Sequence, residues 1–479
     1  MRSGPSVSTP DKPTEVFYDH STAKRVNTDL VVTEAIRKEY PHQHITTVPA
    51  YSADLLQFAA AGHASANTFK DDTKKTLKWR YYLPPATRLN PATGGLVDLT
   101  LFAKYVYTWK DHEFIMYYVN GRDGTSSFPS VINQYLIGPA SEVDALILAA
   151  GKFSAMLHDE IWIFDRGYWQ KDRNLWLSIQ HSRWDNVILD EDMKTHLRDD
   201  ASRFFDSRAE YQKLGVPWKR GIIFHGPPGN GKTISIKATM HMLYDRNEPV
   251  PTLYVKTLAS FFPPEFALGE IFAKARQEAP CYLVFEDLDS VVSDNVRSFF
   301  LNEVDGLSSN DGILMVGSTN HLDRLDPGIS KRPSRFDRKY LFPNPNLEQR
   351  VQYCKFWKRK LKDNKEVGFP DEMCTAIAEI TKGFSFAYMQ EAFVAALLVI
   401  AYSKDEEGRD EDEGGEDDWD VLESNEQKLA GLGFGDDVVE CDKPGKPDDH
   451  LNDYVLWVEI KKQIELLRKE LQAKTVGGQ

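Results

Sequence analysis

In the stretch HGPPGNGKT, Gly226 is followed by four residues and then by Gly231, Lys232 and Thr233. Glycines let backbone N–H groups curl around an anion with no Cβ in the way, and a helix N-terminus just behind them adds positive potential. The stretch follows the apolar run GIIF and precedes TISIKATMHMLY, the strand–loop–helix order that a phosphate-binding loop requires. Pro227, Pro228, Gly229 and Asn230 complete the loop, and Ile234 sits in the first helical turn. Lys232 is expected to reach the β- and γ-phosphates of ATP, and the Thr233 hydroxyl to sit on Mg²⁺.

Further along, CYLVFEDLDS is an apolar run that closes in Glu286 and Asp287. Two carboxylates at the end of a buried strand are costly unless something positive meets them, and a Mg·nucleotide on the adjacent loop would do so. Glu286 is expected to hold the magnesium and Asp287 to orient or deprotonate the attacking water. In VGSTNHLDRLD, Asn320 ends another strand. Alone it reads as a turn residue; beside the acids it becomes a candidate to hold the lytic water. In SKRPSRFDRKY, a solvated basic face competes with a second reading, in which Arg332 and Arg335 reach a neighbouring subunit's γ-phosphate.

These residues need a scaffold that brings strand ends together. Short apolar strands (GIIFHG, PTLYVKT, CYLVFED, GILMVGSTN, RKYLF) alternate with helices over 184–345, the signature of an α/β module with a parallel sheet covered on both faces. The ligand site of such a sheet lies at the carboxyl ends of its strands. Residues 346–403 and 451–475 read as a helical unit. The last helix carries Leu451, Tyr454, Trp457, Ile460, Ile464, Leu467 and Leu471 on one stripe, able to pack back on that unit or to pair with a partner helix.

Upstream, 76–183 reads as a small α+β domain that would select a partner or client, with Val97, Leu99, Leu101, Ala103, Tyr105 and Tyr107 on one strand face and a turn at Lys110 and Asp111. Ser141 is expected to cap a helix, and EIWIFDRG with LWLSIQ to form a second hairpin. Residues 1–75 read as a polar, partly disordered lead-in, and 404–450 as an acidic disordered insertion.

A chain of 479 residues exceeds one core, and at about 150 residues per domain it suggests several units. The net charge is −14, but Lys404–Asp420 alone holds eleven acids and two bases, so the remainder is only mildly acidic. That argues against a nucleic-acid footprint. Cys281, Cys354, Cys374 and Cys441 are scattered, without zinc or disulfide spacing. The longest apolar run, Ala392–Tyr402, is well short of the roughly 20 residues that span a bilayer, and the first 25 residues hold no apolar leader segment. The expectation is a soluble intracellular protein, in cytoplasm or nucleus ahead of mitochondrion.

Taken together, WDNVILDEDMKTHL, GIIFHGPPGNGKT, CYLVFEDLDS, FFLNEVDGL and GSTNHLDRLDPGISKRPSRFDR resemble an AAA ATPase over about residues 184–400. The resemblance implies a five-stranded parallel ATPase subdomain with a helical lid, Asn320 as sensor 1, Arg332 and Arg335 as arginine fingers, and Asp185 to Val187 and Ile188 beside the adenine. Motor ATPases commonly end the second strand in Asp then Glu. The reversed pair and TNH are most similar to the subgroup typified by the mitochondrial inner-membrane chaperone that assembles the Rieske iron–sulfur protein, although that chaperone's membrane anchor has no counterpart here. GFSFAYMQE stands where many relatives carry Gly-x-Ser-Gly-Ala, so no sensor 2 residue is assigned. Phe261 and Phe262 fall where ring motors place a substrate-gripping loop, with packing beside Pro263 and Pro264 as the simpler explanation.

The leading expectation is ATP hydrolysis in a homo-oligomeric ring of roughly six or seven subunits, coupled to remodelling or translocating a protein client. A nucleotide-gated assembly scaffold with slow or no hydrolysis is the alternative. A small-molecule kinase fits the long helical C-terminal part poorly.

Overall fold

The computed structural model describes residues 27–68, 76–85, 94–122, 130–259, 261–293, 295–305, 309–332, 335–364, 367–407 and 449–476, with 12, 16 and 19. Most of the acidic stretch and of the first 26 residues lies outside the described residues, as does Cys441. The chain divides into two compact units, Met1–His158 and Asp159–Gln479.

The first unit is an antiparallel sheet of β1 (Ile45–Pro49), β2 (Ser65–Thr68), β3 (Leu77–Leu83), β4 (Gly95–Trp109), β5 (His112–Arg122) and β6 (Ser130–Ile137). The order is β1-β6-β5-β4-β2, with β3 also paired to β4. Part of the expected lead-in is therefore structured: β1 pairs with β6 and β2 with β4. The cause is visible at Gln134, which is fully buried. Its amide donates to the Ala53 carbonyl (2.8 Å) and its Oε1 accepts from the Leu55 N–H (2.9 Å), so only the segment before β2 satisfies it. The helix Ala140–Ala155 covers the sheet, with Val143, Leu146 and Ala150 buried. Pro139, not Ser141, is its N-cap; the Ser141 hydroxyl lies inside the first turn and donates to Glu142 (2.6 Å).

The second unit contains a seven-stranded sheet where five strands were expected. Its strands are β7 (Ile161–Asp165), β8 (Tyr168–Asp172), β9 (Lys219–His225), β10 (Thr252–Val255), β11 (Cys281–Phe285), β12 (Ile313–Thr319) and β13 (Arg338–Leu341). The order is β13-β9-β12-β11-β10-β7-β8, parallel except for β8. The expected boundary after residue 183 gives way to one at 158, because Trp162, Ile163 and Phe164 of β7 pair in register with Leu253, Tyr254 and Val255 of β10. LWLSIQ is a helix, Arg173–Gln180, and not half of a hairpin: the Asp172 carboxylate accepts from the Leu175 N–H (2.7 Å) and caps it. The hairpin is β7–β8, turned at Arg166 and Gly167, both at positive φ.

Every residue of β11 and β12 is buried, as expected for central parallel strands. Cores lie on both faces, one around Phe272, Phe285 and Phe300, the other around Trp184, Phe204, Phe224 and Phe342. Truncating one such phenylalanine to alanine costs about 3–5 kcal/mol.

Helices Leu347–Lys360, Asp371–Ile380, Phe386–Glu407 and Val455–Val476 follow. The first opens with a capping box, Asn346 and Gln349 bonding each other's backbone N–H. The last packs back on the others: Trp457, Ile460 and Ile464 share a core with Trp357, Phe393 and Ala396. Residues Phe386–Ser403 are long and apolar enough, by length and composition, to cross a membrane. Here Met389, Ala392, Phe393, Ala396 and Ile400 are buried in that helical core.

Candidate functional site

The carboxyl ends of β9, β11 and β12 open onto one cavity of about 400 Å³, lined by Pro228, Gly229, Gly231, Lys232, Thr233, Ile234, Glu286, Asp287, Ser318, Asn320, Ala387 and Gln390. Register brings them together: Phe285 lies beside Gly317 and Gly317 beside Ile223, so the residues after each strand emerge side by side.

The loop after β9 turns at Gly226 (φ 132°), where a Cβ would come within 2.4 Å of the Phe342 carbonyl oxygen. Only glycine allows that approach. Gly229 (φ 76°) is held equally close, since a Cβ there would meet the Ala387 methyl at 2.4 Å. The loop delivers the chain to the helix Lys232–Tyr244, whose first N–H groups have no intrahelical acceptor. The Lys232 ammonium, largely buried, donates to the Gly226 (2.6 Å) and Pro227 (2.9 Å) carbonyls. Burial pushes its pKa down, against the opposing pull of Asp287.

Asn230 is buried and donates to the Asn344 Oδ1 (2.8 Å), while Asn344 donates to the Gly383 carbonyl (3.1 Å). The Ala387 N–H donates to the Gly229 carbonyl (3.2 Å). The phosphate-type loop is thus tied to the helical unit at two points.

Glu286 accepts from the Tyr254 hydroxyl through Oε2 (2.5 Å), and its Oε1 is buried with no hydrogen-bond partner. A carboxylate oxygen left so is costly, and a hydrated cation in the cavity would satisfy it. Thr233 lines the same cavity, and a hydroxyl with a carboxylate is the donor set of a nucleotide-bound Mg²⁺. Asp287 is left-handed (φ 49°, ψ 54°), a conformation that costs a non-glycine residue about 1–3 kcal/mol and clusters at functional sites. Its N–H donates to the Ser318 Oγ (3.3 Å).

Asn320 stands on the cavity wall next to these acids. His225, at the end of β9, has its pKa lowered by burial and then by the charges of Lys339 and Lys232, so it stays neutral near pH 7.

Other expected residues are not brought to the cavity wall. Val187 is buried in the core around Trp184 and Phe224, and Asp185 is exposed in the short 3₁₀ turn Trp184–Asn186. Leu189 is the nearer neighbour, its Cδ2 at 3.9 Å from a Cβ built on Gly231.

Arg335 departs most from expectation. Its guanidinium is bonded to both oxygens of Asp305 (2.8 and 2.5 Å) and to the Gly328 carbonyl (2.7 Å), leaving the side chain 7% exposed. A bidentate carboxylate fork is the partner geometry that guanidinium prefers, so in this chain Arg335 is a structural cation and does not project. Arg332 is exposed.

Sequence reasoning missed Tyr254, Ser318, Ala387 and Gln390. The last two carried a readable signal, since SFAYMQ opens a helix and places Ala387 and Gln390 three apart on one face. Phe261 is fully exposed, which removes the packing explanation for that residue. Phe262 touches Tyr168 and Phe266 edge-on or tilted, at 5.9 and 5.1 Å between centroids.

Residues 222–344 match the model of the ATPase family associated with various cellular activities (AAA). The match supports the AAA ATPase family and, with it, nucleotide binding and ATP-driven activity in general. It runs from within β9 to just past β13, the segment that carries Lys232, Glu286, Asp287 and Asn320.

Proposed function

We propose that the chain is a Mg²⁺-dependent ATPase of the AAA type that works as an oligomeric ring and uses hydrolysis to remodel or translocate a protein client. One observation carries the reading: a buried, unpartnered Glu286 Oε1 on a cavity shared with Lys232, Thr233, Asp287 and Asn320. In this reading the loop N–H groups cradle the phosphates and Lys232 leaves its two carbonyls for the β- and γ-oxygens. Asp287 takes a proton from the attacking water, which Asn320 orients. The water oxygen bonds to the γ-phosphorus as the bridging oxygen leaves with ADP. Mg²⁺, held by Thr233 and Glu286, would neutralise charge building on the phosphate oxygens. Arg332 is the finger that reaches a neighbouring copy, and the first unit selects the client. The reversed acid pair links the chain to the Rieske-assembly chaperone subgroup, and the four-helix unit acts as the lid.

A nucleotide-gated scaffold that turns over slowly is the second reading. The capture of Arg335 by Asp305 favours it, because it withdraws one of two candidate fingers. Phosphate release per chain, measured against protein concentration, separates the two. A trans-acting ring gains specific activity as it assembles, and Lys232→Ala abolishes nucleotide retention. A chain that retains Mg·ATP in assembled particles without releasing phosphate belongs to the scaffold reading.

A further inference from the structure

Glu286 is one methylene longer than the aspartate that commonly holds this position in motor ATPases, and its extra torsion must be fixed if the carboxylate is to meet a metal in one geometry. The structure supplies a restraint. Tyr254 is the third residue of β10 and lies in register with Val284 of β11. Glu286 is two residues beyond Val284, so both side chains leave the sheet on the same face. The phenol reaches along that face and donates to Oε2, while Oε1 is the buried oxygen without a partner.

We propose that Tyr254 is a positioning residue that clamps one oxygen of Glu286 and so presents the other to the nucleotide-bound divalent cation. The proposal rests on the reading of the cavity as a Mg·ATP site. Three features of Tyr254 suit it to the role. It is a rigid side chain with only two torsions and one donor. Its ring packs against the core that holds Val284 and Tyr282, which fixes the hydroxyl independently of any ligand. Its hydroxyl meets Oε2 directly, with no other residue between them.

Tyr254 also lies on the opposite side of the acids from the phosphate loop. It lines a second cavity of about 580 Å³, to which Glu286 and Asp287 contribute as well. The clamp therefore holds Glu286 from behind and leaves the nucleotide side open. Partners of this kind around a metal-binding carboxylate change metal affinity by roughly 10- to 100-fold when removed.

The test measures binding of a fluorescent ATP analogue to the full chain, in EDTA and across a Mg²⁺ titration. Tyr254→Phe keeps the ring and its packing. It is expected to bind nucleotide in EDTA within about twofold of the parent, while the Mg²⁺ concentration for half-maximal enhancement rises roughly 10- to 100-fold. In a Glu286→Ala background the same change is expected to add nothing, because the carboxylate it holds is gone.

An unchanged Mg²⁺ midpoint in Tyr254→Phe overturns the clamp and leaves the ATP site standing, as does an equal effect in the Glu286→Ala background. A loss of affinity in EDTA as large as that in Mg²⁺ marks Tyr254 as general packing and also overturns it. A parent chain that binds no nucleotide in either condition overturns both the clamp and the site.

Discussion

The second unit treats its charges in two ways. At the strand ends around Glu286 the polar groups are under-satisfied: Glu286 Oε1 has no partner, Lys232 rests on two carbonyls, and Asp287 sits in a strained conformation. In the segment leading to β13, Arg335 is over-provided, with a bidentate carboxylate and a carbonyl. Both regions offer functional candidates in the sequence. What separates them is whether the chain completes each group's bonding itself. A group left incomplete in a cavity is poised for a ligand, and a group completed internally is holding the fold.

The comparison is sharpest between the two arginines. Arg332→Ala is expected to lower phosphate release by roughly 10³-fold or more with an unchanged melting temperature, the signature of a finger acting across a subunit boundary. Equal activity in steady-state assays of the assembled protein would place Arg332 among ordinary solvated cations.

Next in size, Asp287→Asn keeps nucleotide binding but slows hydrolysis by roughly 10²- to 10⁴-fold, as loss of a general base does. Single-turnover measurements with saturating Mg·ATP read this directly, and turnover at the parental rate would assign the lytic water to another group.

Arg335→Ala is expected to act on the fold, lowering stability by about 1–3 kcal/mol in urea unfolding, since it removes a buried guanidinium and its bonds to Asp305 and the Gly328 carbonyl. Arg335→Lys recovers little of this, because an ammonium cannot fill the fork. If Arg335→Ala left stability untouched and removed activity, the contrast between the two regions would fail.

The smallest effect belongs to His225. Its folded pKa lies below its ordinary 6.5, with burial as the main cause. The unfolded chain therefore binds the proton more readily, and the contribution of neutral His225 is complete above pH 6.5 and declines as pH falls through the folded value. Urea midpoints compared between pH 7 and pH 5 are expected to fall less in His225→Gln than in the parent.

The phosphate-type loop and the strands around it are legible in the sequence because each is a local pattern: GxxxxGKT between an apolar run and a helix, and short, mostly apolar strands. The capture of Arg335 is not legible, since Asp305 lies 30 residues away and only tertiary packing pairs them. Tyr254 was hidden for a related reason. An aromatic on a strand reads as core, and its hydroxyl acquires meaning only through its register with β11. The β7–β8 hairpin escaped because EIWIF and LWLSIQ are both short apolar runs, whose period does not distinguish strand from helix; Asp172 decides the matter by capping the second.

The Ala387 N–H bond to the Gly229 carbonyl crosses from the helix Phe386–Glu407 to the phosphate-type loop. That amide cannot exchange its hydrogen with solvent unless the two parts separate, at least briefly. Its deuterium uptake therefore counts the openings of this joint one amide at a time, and any occupant that grips the loop from inside will slow the clock.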